Sequence, residues 1–422
     1  MRPATRLGTQ WLWALAVVPL LALGVCAASS AAEVNTARLS VEATATLGAA
    51  GVGATAAWPD TATPTASATA TLTPSPSATS TPAWLSPTPT LSPTATLSPT
   101  LSPEEAFDAN FPVRLGSKLS LHFVRGSHGS YQWLQRARPA FVKLVDAALA
   151  WSPDLRKEFP DMLQIGRVTD AEDPTLLNKN PILAADEYVS ETLHYYEQYP
   201  TIDYWEGWNE YNPAVWGSPQ EWGWFAEFEA QRACLMHAYG YHAVIGDFST
   251  GRPEFNEMLL FVSALRIGHQ CGAIFGLHEY SAPTMQYGYG LGIPHRPDYP
   301  DRGMLTLRYR YWYEDILKPL NIPIPLVITE AGVDGGVGAG RPGPVGALGW
   351  RQFGPYWSQI GLGNDAAQAY VNQLAWYDSE MRKDPYVIGA AIFNAGTYDN
   401  SPFEVETLLP DLTAYMVSMQ GK

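Results

Sequence analysis

An eight-stranded (β/α)8 barrel is the fold class that this sequence predicts, and three observations support it. After Pro103, the 422-residue chain alternates short apolar runs with longer amphipathic stretches, which is typical of βα units and a parallel sheet. The apolar runs number eight. Polar residues stand where most of these runs end, and in such a barrel the chemistry lies at the C-terminal ends of the strands. A doubly wound open sheet is the rival, but it gives no reason for the count of eight.

The eight predicted strands are residues 118–124, 141–146, 162–168, 204–210, 242–249, 273–280, 324–332 and 387–396. Helix-like segments such as 221–240 and 365–384 lie between them. The longest connections follow the sixth and seventh strands, and both are rich in Gly, Pro and aromatic residues. Loops of this length in a compact domain are usually functional or disordered. We expect them to form the walls of a cleft, one of them acting as a lid.

Two segments precede the predicted barrel, which spans residues 104–422. Residues 1–32 combine Arg2 and Arg6 with an apolar run from 11 to 28 and small residues around Ala32, the pattern of a cleaved signal peptide. An uncleaved membrane anchor is the alternative, because the run approaches the ~18 apolar residues that span a bilayer. Residues 33–103 are Ala, Thr, Ser and Pro, a composition that predicts a disordered linker. The sequence therefore predicts a secreted protein or one tethered to the cell surface.

Composition narrows the class of ligand. The net charge of -15 disfavours nucleic acid, whose binding depends on Lys and Arg neutralising phosphates. The 15 Trp and 22 Tyr residues provide flat apolar surfaces with polar tips, which suit the stacking of neutral sugars. Cys234 and Cys271 are the two cysteines that remain if the leader is removed. They form either one disulfide bond or two buried thiols.

Two glutamates end predicted strands in similar settings, Glu210 in "YWEGWNE" and Glu330 in "LVITEAG". Leu326, Ile328 and Glu330 share one strand parity, so Glu330 faces inward if the first two do. The fourth and seventh strands lie roughly across the barrel, which places the two carboxylates opposite each other. Glycosidic cleavage needs such a pair, because one acid protonates the leaving oxygen while the other meets positive charge at the anomeric carbon. This chemistry requires no metal and no organic cofactor.

The motifs "WEGWNE", "HEY" and "ITE", at the ends of the fourth, sixth and seventh predicted strands, resemble those of the clan A glycoside hydrolases, retaining (β/α)8 enzymes also called the 4/7 superfamily. The resemblance covers the chain after Pro103. It implies that Glu210 is the general acid/base, Glu330 the nucleophile and Asn209 a partner of the sugar 2-hydroxyl. It also implies that Tyr280 lies beside the nucleophile and that His278 faces the substrate.

Three features depart from the family pattern. Many relatives read Asn-Glu-Pro, whereas "NEYNP" stands here, so the loop after Glu210 is altered. The strand-two arginine beside the nucleophile has no counterpart in "KLVDAA", and Arg167 after strand three is the candidate substitute. Strand eight carries Phe393 and Asn394 where relatives often have a tryptophan. The departures therefore affect which substrate the site is expected to accept and which positive charge lies beside Glu330.

Other residues receive structural interpretations beside functional ones. We expect Glu206 to be a buried acid paired with an arginine, because unpaired buried charge is costly. Glu279 is interpreted as structural, and Asp247 is expected to cap the next helix rather than line the cleft. Trp216, in the loop after strand four, is the predicted sugar platform. A barrel that binds glycans without cutting them, as a surface recognition module, is the alternative function.

Overall fold

The computed structural model describes residues 102–211, 213, 218–397 and 401–422. All eight predicted strands are present and parallel, in the order β4-β3-β2-β1-β8-β7-β6-β5. Their bounds are β1 Leu119–Phe123, β2 Phe141–Val145, β3 Leu163–Arg167, β4 Tyr204–Trp205, β5 Val244–Phe248, β6 Ile274–Ser281, β7 Leu326–Val333 and β8 Val387–Ala395. A parallel bridge between Trp205 and Ala243 joins β4 to β5 and closes the barrel. The predicted (β/α)8 fold is therefore confirmed.

Helices surround the barrel and follow the strands in sequence. Their bounds are α1 Pro103–Asp108, α2 His128–Ala137, α3 Ser152–Glu158, α4 Pro181–Gln198, α5 Pro219–Ala238, α6 Phe255–Gln270, α7 Tyr309–Trp312, α8 Trp350–Gln359, α9 Ala366–Met381 and α10 Leu409–Met419. Local sequence explains their starts: at α5 the Ser218 side chain accepts from the Glu221 amide and Pro219 occupies the first turn. No helix among the described residues is long and apolar enough to cross a membrane.

The barrel has two apolar layers. A small cluster fills its lower interior and consists of Phe141, Ile165, Val244, Ile274, Val327, Ile388 and Ala391. A much larger cluster lies between the sheet and the helices and includes Leu326 and Ile328 of β7. Alternate residues of a strand face opposite sides of the sheet, so Val327 faces the interior. The condition set by strand parity, that Leu326 and Ile328 face inward, is therefore not met.

Strand β4 is shorter than predicted. The segment 206–210 leaves the ladder after Trp205 and bends across the mouth of the barrel, although the Glu206 amide still donates to the Gly166 carbonyl at 2.9 Å. The bend packs Gly207 against Arg232, where a Cβ atom would lie 2.9 Å from the guanidinium carbon. Glycine is therefore required at this position, and the bend carries Glu210 onto the rim.

Two further expectations concern the cysteines and the N-terminal segments. Cys234 in α5 and Cys271 just after α6 form a disulfide bond, which decides between the two alternatives left by the sequence. It ties together neighbouring helices of the outer layer. The predicted leader 1–32 lies outside the described residues, as does the linker up to residue 101.

Candidate active site

Glu330 lies at the centre of a polar cluster at the C-terminal ends of the strands. Its Oε1 atom is 3.0 Å from Lys143 Nζ and 3.5 Å from His122 Nδ1, and its Oε2 atom accepts a 2.8 Å hydrogen bond from the Tyr280 hydroxyl. Arg167 follows at 3.9 Å. These contacts come from β1, β2, β3 and β6, so four strands other than its own surround the carboxylate.

A register irregularity in β7 turns Glu330 into the barrel. Leu277 pairs with Ile328, but His278 pairs with Glu330, so β7 carries one extra residue, Thr329. Such a bulge shifts the alternation of side chains by one position and re-aims those that follow. Glu330 consequently shares the inward direction of His278, although Ile328 faces the helices. The predicted inward position of Glu330 agrees with the structure, for a different reason.

Glu210 stands on the rim opposite Glu330, with 42% of its side chain exposed. His278 Nδ1 lies 2.9 Å from its Oε1 atom and 3.6 Å from Glu330 Oε2. One carboxylate oxygen from each glutamate and one nitrogen of His278 all lie within 4.8 Å of one another. The two acids predicted from the sequence are thus neighbours across one small space.

The Glu210 backbone is in the left-handed region, with φ of 51°. Its amide donates at 3.0 Å to the carbonyl of Asp247, whose φ is 44°. Left-handed backbone at a non-glycine residue costs of order 1–3 kcal/mol and persists only where the surroundings enforce it. The exits of β4 and β5 therefore hold each other in an unfavourable conformation beside the cluster.

Lys143 is the buried cation that sequence reasoning missed. Its Nζ atom contacts Glu206 Oε2 at 2.9 Å as well as Glu330, and its side chain has no solvent exposure. It occupies β2, on which the family's arginine was sought, but two residues before the strand ends. A lone lysine inside the apolar run "FVKLV" was the available signal, because a buried ammonium requires a carboxylate partner. The expected partner of Glu206 was an arginine, and that detail was wrong.

Opposing influences act on the pKa of Glu330. Burial, the largest influence, raises the pKa, but the positive charges of Lys143, His278 and Arg167 outweigh it and hold the pKa well below its usual range. Burial lowers the pKa of His278, but the charges of Glu330 and Glu210 raise it by more. The net shift of the His278 pKa is therefore upward. Burial and the charge of Glu330 raise the pKa of the Tyr280 hydroxyl well above normal. Glu330 is therefore an ionised carboxylate beside a phenol that remains protonated.

Asp247 lies inside the barrel below the two acids and does not cap a helix. Thr329 Oγ1 donates to its Oδ1 atom at 3.1 Å, and a Cβ atom at Gly276 would lie 2.0 Å from the same oxygen. The following helix, α6, has Glu254 as its N-cap residue. The capping prediction was wrong because the carboxylate fills space that only glycine leaves free. Burial, and then the charge of Glu206, raise the pKa of Asp247 to about 7.

The remaining predicted residues have different outcomes. The backbone N–H of Asn209 donates to Glu172 Oε1 at 3.1 Å. The buried Oδ1 atom of the Asn209 side chain has no hydrogen-bond partner among the described residues. Glu279 faces away from the cluster and accepts hydrogen bonds from Leu307 N and the Tyr377 hydroxyl, as its structural interpretation predicted. Trp216 lies outside the described residues.

Phe393 occupies the position where the resemblance led us to seek a tryptophan. Its half-buried ring makes edge contacts with His122 at a centroid distance of 4.9 Å and with Tyr280 at 6.0 Å. The peptide bond between Phe393 and Asn394 is cis. An apolar ring therefore lies beside the polar cluster at the exit of β8.

The connection from β7 to α8 is organised around one buried side chain, Arg341. Its guanidinium donates to the carbonyls of Gly335, Val337 and Pro344 at 2.7 Å and of Pro342 at 2.9 Å. Four backbone acceptors satisfied by one planar cation fix the path of a loop with little regular structure. This loop begins directly after β7, so it forms a wall on the same face as Glu330.

His278 and the two glutamates are also the only described group of His, Cys, Asp or Glu side chains close enough to hold a metal ion. Lys143 already neutralises the Glu330 oxygen at 3.0 Å. A second cation at the same oxygen would be repelled by the ammonium. The donor set therefore fits a carboxylate chemistry better than a metal centre.

This chain is similar in fold to several solved structures. No family model matches the chain, and no curated protein matches its sequence. A family 5 xyloglucan-specific endo-β-1,4-glucanase from a metagenomic library is 14% identical, over 69% of this chain and 87% of that one, with a TM-score of 0.41. A family 39 glycoside hydrolase from Bacteroides cellulosilyticus is 12% identical, over 74% and 65%, with a TM-score of 0.44.

A third solved structure, a β-1,3-glucanase and pollen allergen of Cryptomeria japonica, is 14% identical, over 69% of this chain and 95% of that one, with a TM-score of 0.41. Likeness at this level does not transfer an activity to this chain. The closed parallel sheet and its strand order identify the chain as an eight-stranded (β/α)8 barrel.

Proposed function

We propose that this chain is a retaining glycosidase in which Glu330 is the nucleophile and Glu210 the general acid/base. The observation that carries the proposal is the facing pair of carboxylates, whose oxygens approach within 4.8 Å. Retaining enzymes place their two carboxyl groups ~5–5.5 Å apart, whereas inverting enzymes leave ~6.5–9.5 Å for an intervening water. An approach within 4.8 Å between one oxygen of each acid favours the shorter of these two carboxyl separations, and with it direct attack by Glu330 on the sugar.

The environments of the two acids support the division of roles. A nucleophile must be ionised, and Lys143 and Arg167 keep the pKa of Glu330 low although burial opposes them. A general acid must reach both the leaving oxygen and water, and Glu210 is the partly exposed member of the pair. His278 holds the Glu210 carboxylate through the 2.9 Å contact and so fixes its direction.

The reaction proceeds in two steps. Glu330 attacks the anomeric carbon, the glycosidic C–O bond breaks, and Glu210 gives its proton to the leaving oxygen. A water molecule then loses a proton to Glu210 and attacks the same carbon, which releases Glu330 and restores both acids. Asn209, with its unpartnered amide oxygen, is placed to accept a hydrogen bond from a sugar hydroxyl. We further propose that Trp216 supplies a stacking platform, and that the N-terminal segment exports or tethers the enzyme.

A screen of aryl glycosides and neutral polysaccharides tests this proposal. We expect turnover of at least one substrate, with the product anomer first formed matching the substrate when followed by NMR. Glu330→Gln should lower kcat by at least about 1,000-fold, because the covalent step is lost. Glu210→Ala should impair substrates with poor leaving groups far more than a dinitrophenyl glycoside, which needs little protonation.

Other results would contradict the proposal. Inversion at the anomeric carbon would exclude Glu330 as nucleophile. Binding of a glycan without turnover of any substrate would favour the alternative of a surface recognition module. The thermal unfolding midpoints of Glu330→Gln and Glu210→Ala confirm that each variant is folded before its activity is interpreted.

A further inference from the structure

Strands β5 and β7 each carry one extra residue relative to β6, the strand that lies between them. In β5, the pairing with β6 shifts between Gly246 and Phe248, which makes Asp247 the extra residue. In β7 the extra residue is Thr329, directly before Glu330. A bulge re-aims the side chains beside it. Asp247 and Thr329 thus occupy the positions at which two strands change the direction of their side chains.

The two bulge residues contact each other inside the barrel. Thr329 Oγ1 donates to Asp247 Oδ1 at 3.1 Å, and both side chains are buried. Gly276 on the intervening strand β6 leaves the space for this contact, because a Cβ atom there would lie 2.0 Å from Asp247 Oδ1. A buried hydroxyl needs an acceptor and a buried carboxyl group needs a donor, so each satisfies the other. The hydrogen bond therefore links the exit of β5 to the bulge that directs Glu330.

The backbone of Asp247 holds the other acid. Its carbonyl accepts a hydrogen bond from the Glu210 N–H at 3.0 Å, which returns the bent segment 206–210 to β5. The φ angles of Glu210 and Asp247 are 51° and 44°, a left-handed conformation that Asp adopts more readily than most residues. One residue thus contacts the chain at both acids, through its carbonyl at Glu210 and through its carboxyl group at the residue before Glu330.

A carboxyl group at this depth is costly, since burial disfavours its charge. The charged groups that act on it are Glu206 from the exit of β4, Lys143 from β2, His278 from β6 and Glu229 from α5. Burial and then the charge of Glu206 raise the pKa of Asp247 to about 7, although the two basic groups oppose the rise. Carboxyl groups with strongly perturbed pKa values concentrate at functional sites. This acid lies directly below the reacting pair and takes no part in the two chemical steps.

We propose that Asp247 is a positioning residue that fixes Glu210 and Glu330 relative to each other. The inference rests on the proposed function and deepens it, because it names a residue that contacts no substrate yet sets the separation of the two acids. The Asp247 carbonyl fixes Glu210, and the contact between its carboxyl group and Thr329 fixes the bulge that aims Glu330. Such control matters because a misplacement of about 1 Å in a reacting group can lower a rate on the order of 100-fold.

Thr329→Val tests the carboxyl contact, because it removes the hydroxyl and keeps the branched shape of the side chain. The probes are a dinitrophenyl and a methyl glycoside of the sugar that the unaltered protein cleaves. We expect kcat/KM to fall at least about tenfold, by the same factor for both probes, since Glu330 is misdirected while Glu210 still protonates the leaving oxygen. Thr329→Ser keeps the hydroxyl and should recover most of the lost kcat/KM.

Asp247→Ala tests both contacts, because it removes the carboxyl group and places at φ of 44° a residue that tolerates left-handed backbone poorly. We expect a larger loss of kcat/KM, at least about 100-fold for the methyl glycoside. The loss for the dinitrophenyl glycoside should be about tenfold smaller, because this substrate needs little protonation by Glu210. Asp247→Asn keeps an acceptor oxygen and the tolerated backbone, and should recover most of the activity.

Two further measurements complete the test. Thr192→Val is the matched control, because its buried hydroxyl donates to the Tyr188 carbonyl at 2.8 Å within α4, and it should leave kcat/KM unchanged. Crystal structures of the Thr329 variants give a readout that does not depend on turnover. In Thr329→Val we expect Glu330 to move by roughly 1 Å from Lys143, which lies 3.0 Å from its Oε1 atom, and to stay in place in Thr329→Ser.

The outcomes separate this inference from the proposed function. Unchanged kcat/KM and an unmoved Glu330 in Thr329→Val would overturn the positioning role and leave the glycosidase assignment intact. A loss that Thr329→Ser does not recover would also overturn it, because the hydroxyl is then not the group that matters. If no substrate is turned over, the proposed function fails, and the crystal structures still decide: a displaced Glu330 in Thr329→Val supports the positioning role, and an unmoved one overturns it. Should Thr329→Val not fold, the Asp247→Ala and Asp247→Asn pair carries the same comparison.

Discussion

Two buried glutamates on neighbouring strands occupy opposite electrostatic environments. Glu330 of β7 faces the mouth of the barrel, where Lys143, His278 and Arg167 hold its pKa well below normal although burial raises it. Glu279 of β6 faces the helices, where burial raises its pKa to about 7 although hydrogen bonds from Tyr377 and backbone amides oppose the shift. The contrast teaches that neutral donors only partly compensate for burial here, whereas nearby cations reverse its effect.

Replacing Lys143, the buried cation at the mouth of the barrel, should produce the largest loss of stability. In Lys143→Met, Glu206 and Glu330 lose their shared counter-charge, and we expect a loss of about 3–5 kcal/mol in the free energy of unfolding. The acidic limb of the pH–activity profile should also move to higher pH, because Glu330 then binds a proton more readily. Denaturant unfolding and kcat/KM against pH are the measurements.

Two further variants control this test. Lys143→Arg keeps the charge and should recover part of the activity even if the larger group packs poorly. Lys383 pairs with Glu380 at the surface with 61% of its side chain exposed, and Lys383→Met should change stability by less than about 1 kcal/mol. Equal losses of unfolding free energy in Lys143→Met and Lys383→Met would show that Lys143 does not stabilise the charges of Glu206 and Glu330.

The buried position of Glu279 should make the stability of the protein depend on pH. The pKa of Glu279 is about 7 in the folded state against an ordinary value of 4.5, so the folded protein binds the extra proton between these limits. Stability contributed by this group is therefore lost as pH rises from 4.5 to about 7, by on the order of 3 kcal/mol. Glu279→Gln should remove that slope.

The readout is the slope of unfolding free energy against pH, because Gln also places an amide near the backbone donors of Leu307 and Tyr309. Glu227→Gln, which changes an exposed carboxyl on α5, should leave the slope unchanged. Should Glu279→Gln retain the full wild-type slope, the fall in stability must come from other groups.

Removing the neutral hydrogen-bond donor to Glu330, the Tyr280 hydroxyl, should have the smallest effect of the three changes. Tyr280→Phe removes the 2.8 Å hydrogen bond to Glu330 Oε2 but leaves the cations in place. We expect kcat to fall by roughly 10- to 150-fold, since one hydrogen bond to a charged group contributes about 1.5–3 kcal/mol. Tyr415→Phe is the control, because its hydroxyl bonds to Asp378 at 2.7 Å outside the site. A tenfold loss in both variants would mean that the effect is not specific to Glu330.

The sequence predicted the fold and the two acids because each depends on local pattern. Eight apolar runs specify eight strands, and Glu210, Glu330, His278 and Tyr280 all follow such runs. The direction of Glu330 could not be predicted, since the bulge at Thr329 depends on pairing with β6. Strand alternation without the bulge would have turned this acid towards the helices.

Lys143 and His122 were missed for a related reason. Both lie within strands rather than at their ends, in "FVKLV" and "LSLHF". Their importance comes from the partners that other strands supply, and sequence alone does not show which strand interiors meet.

The Arg341 loop has a consequence for engineering this protein. Because one guanidinium fixes the backbone of residues 335–344 through carbonyl groups, the course of this loop depends little on the identity of its other side chains. Residues such as Val345, which is 75% exposed, can be varied while the framework persists. Libraries confined to this segment, with position 341 held constant, offer a route to new substrate preferences that leaves the barrel untouched.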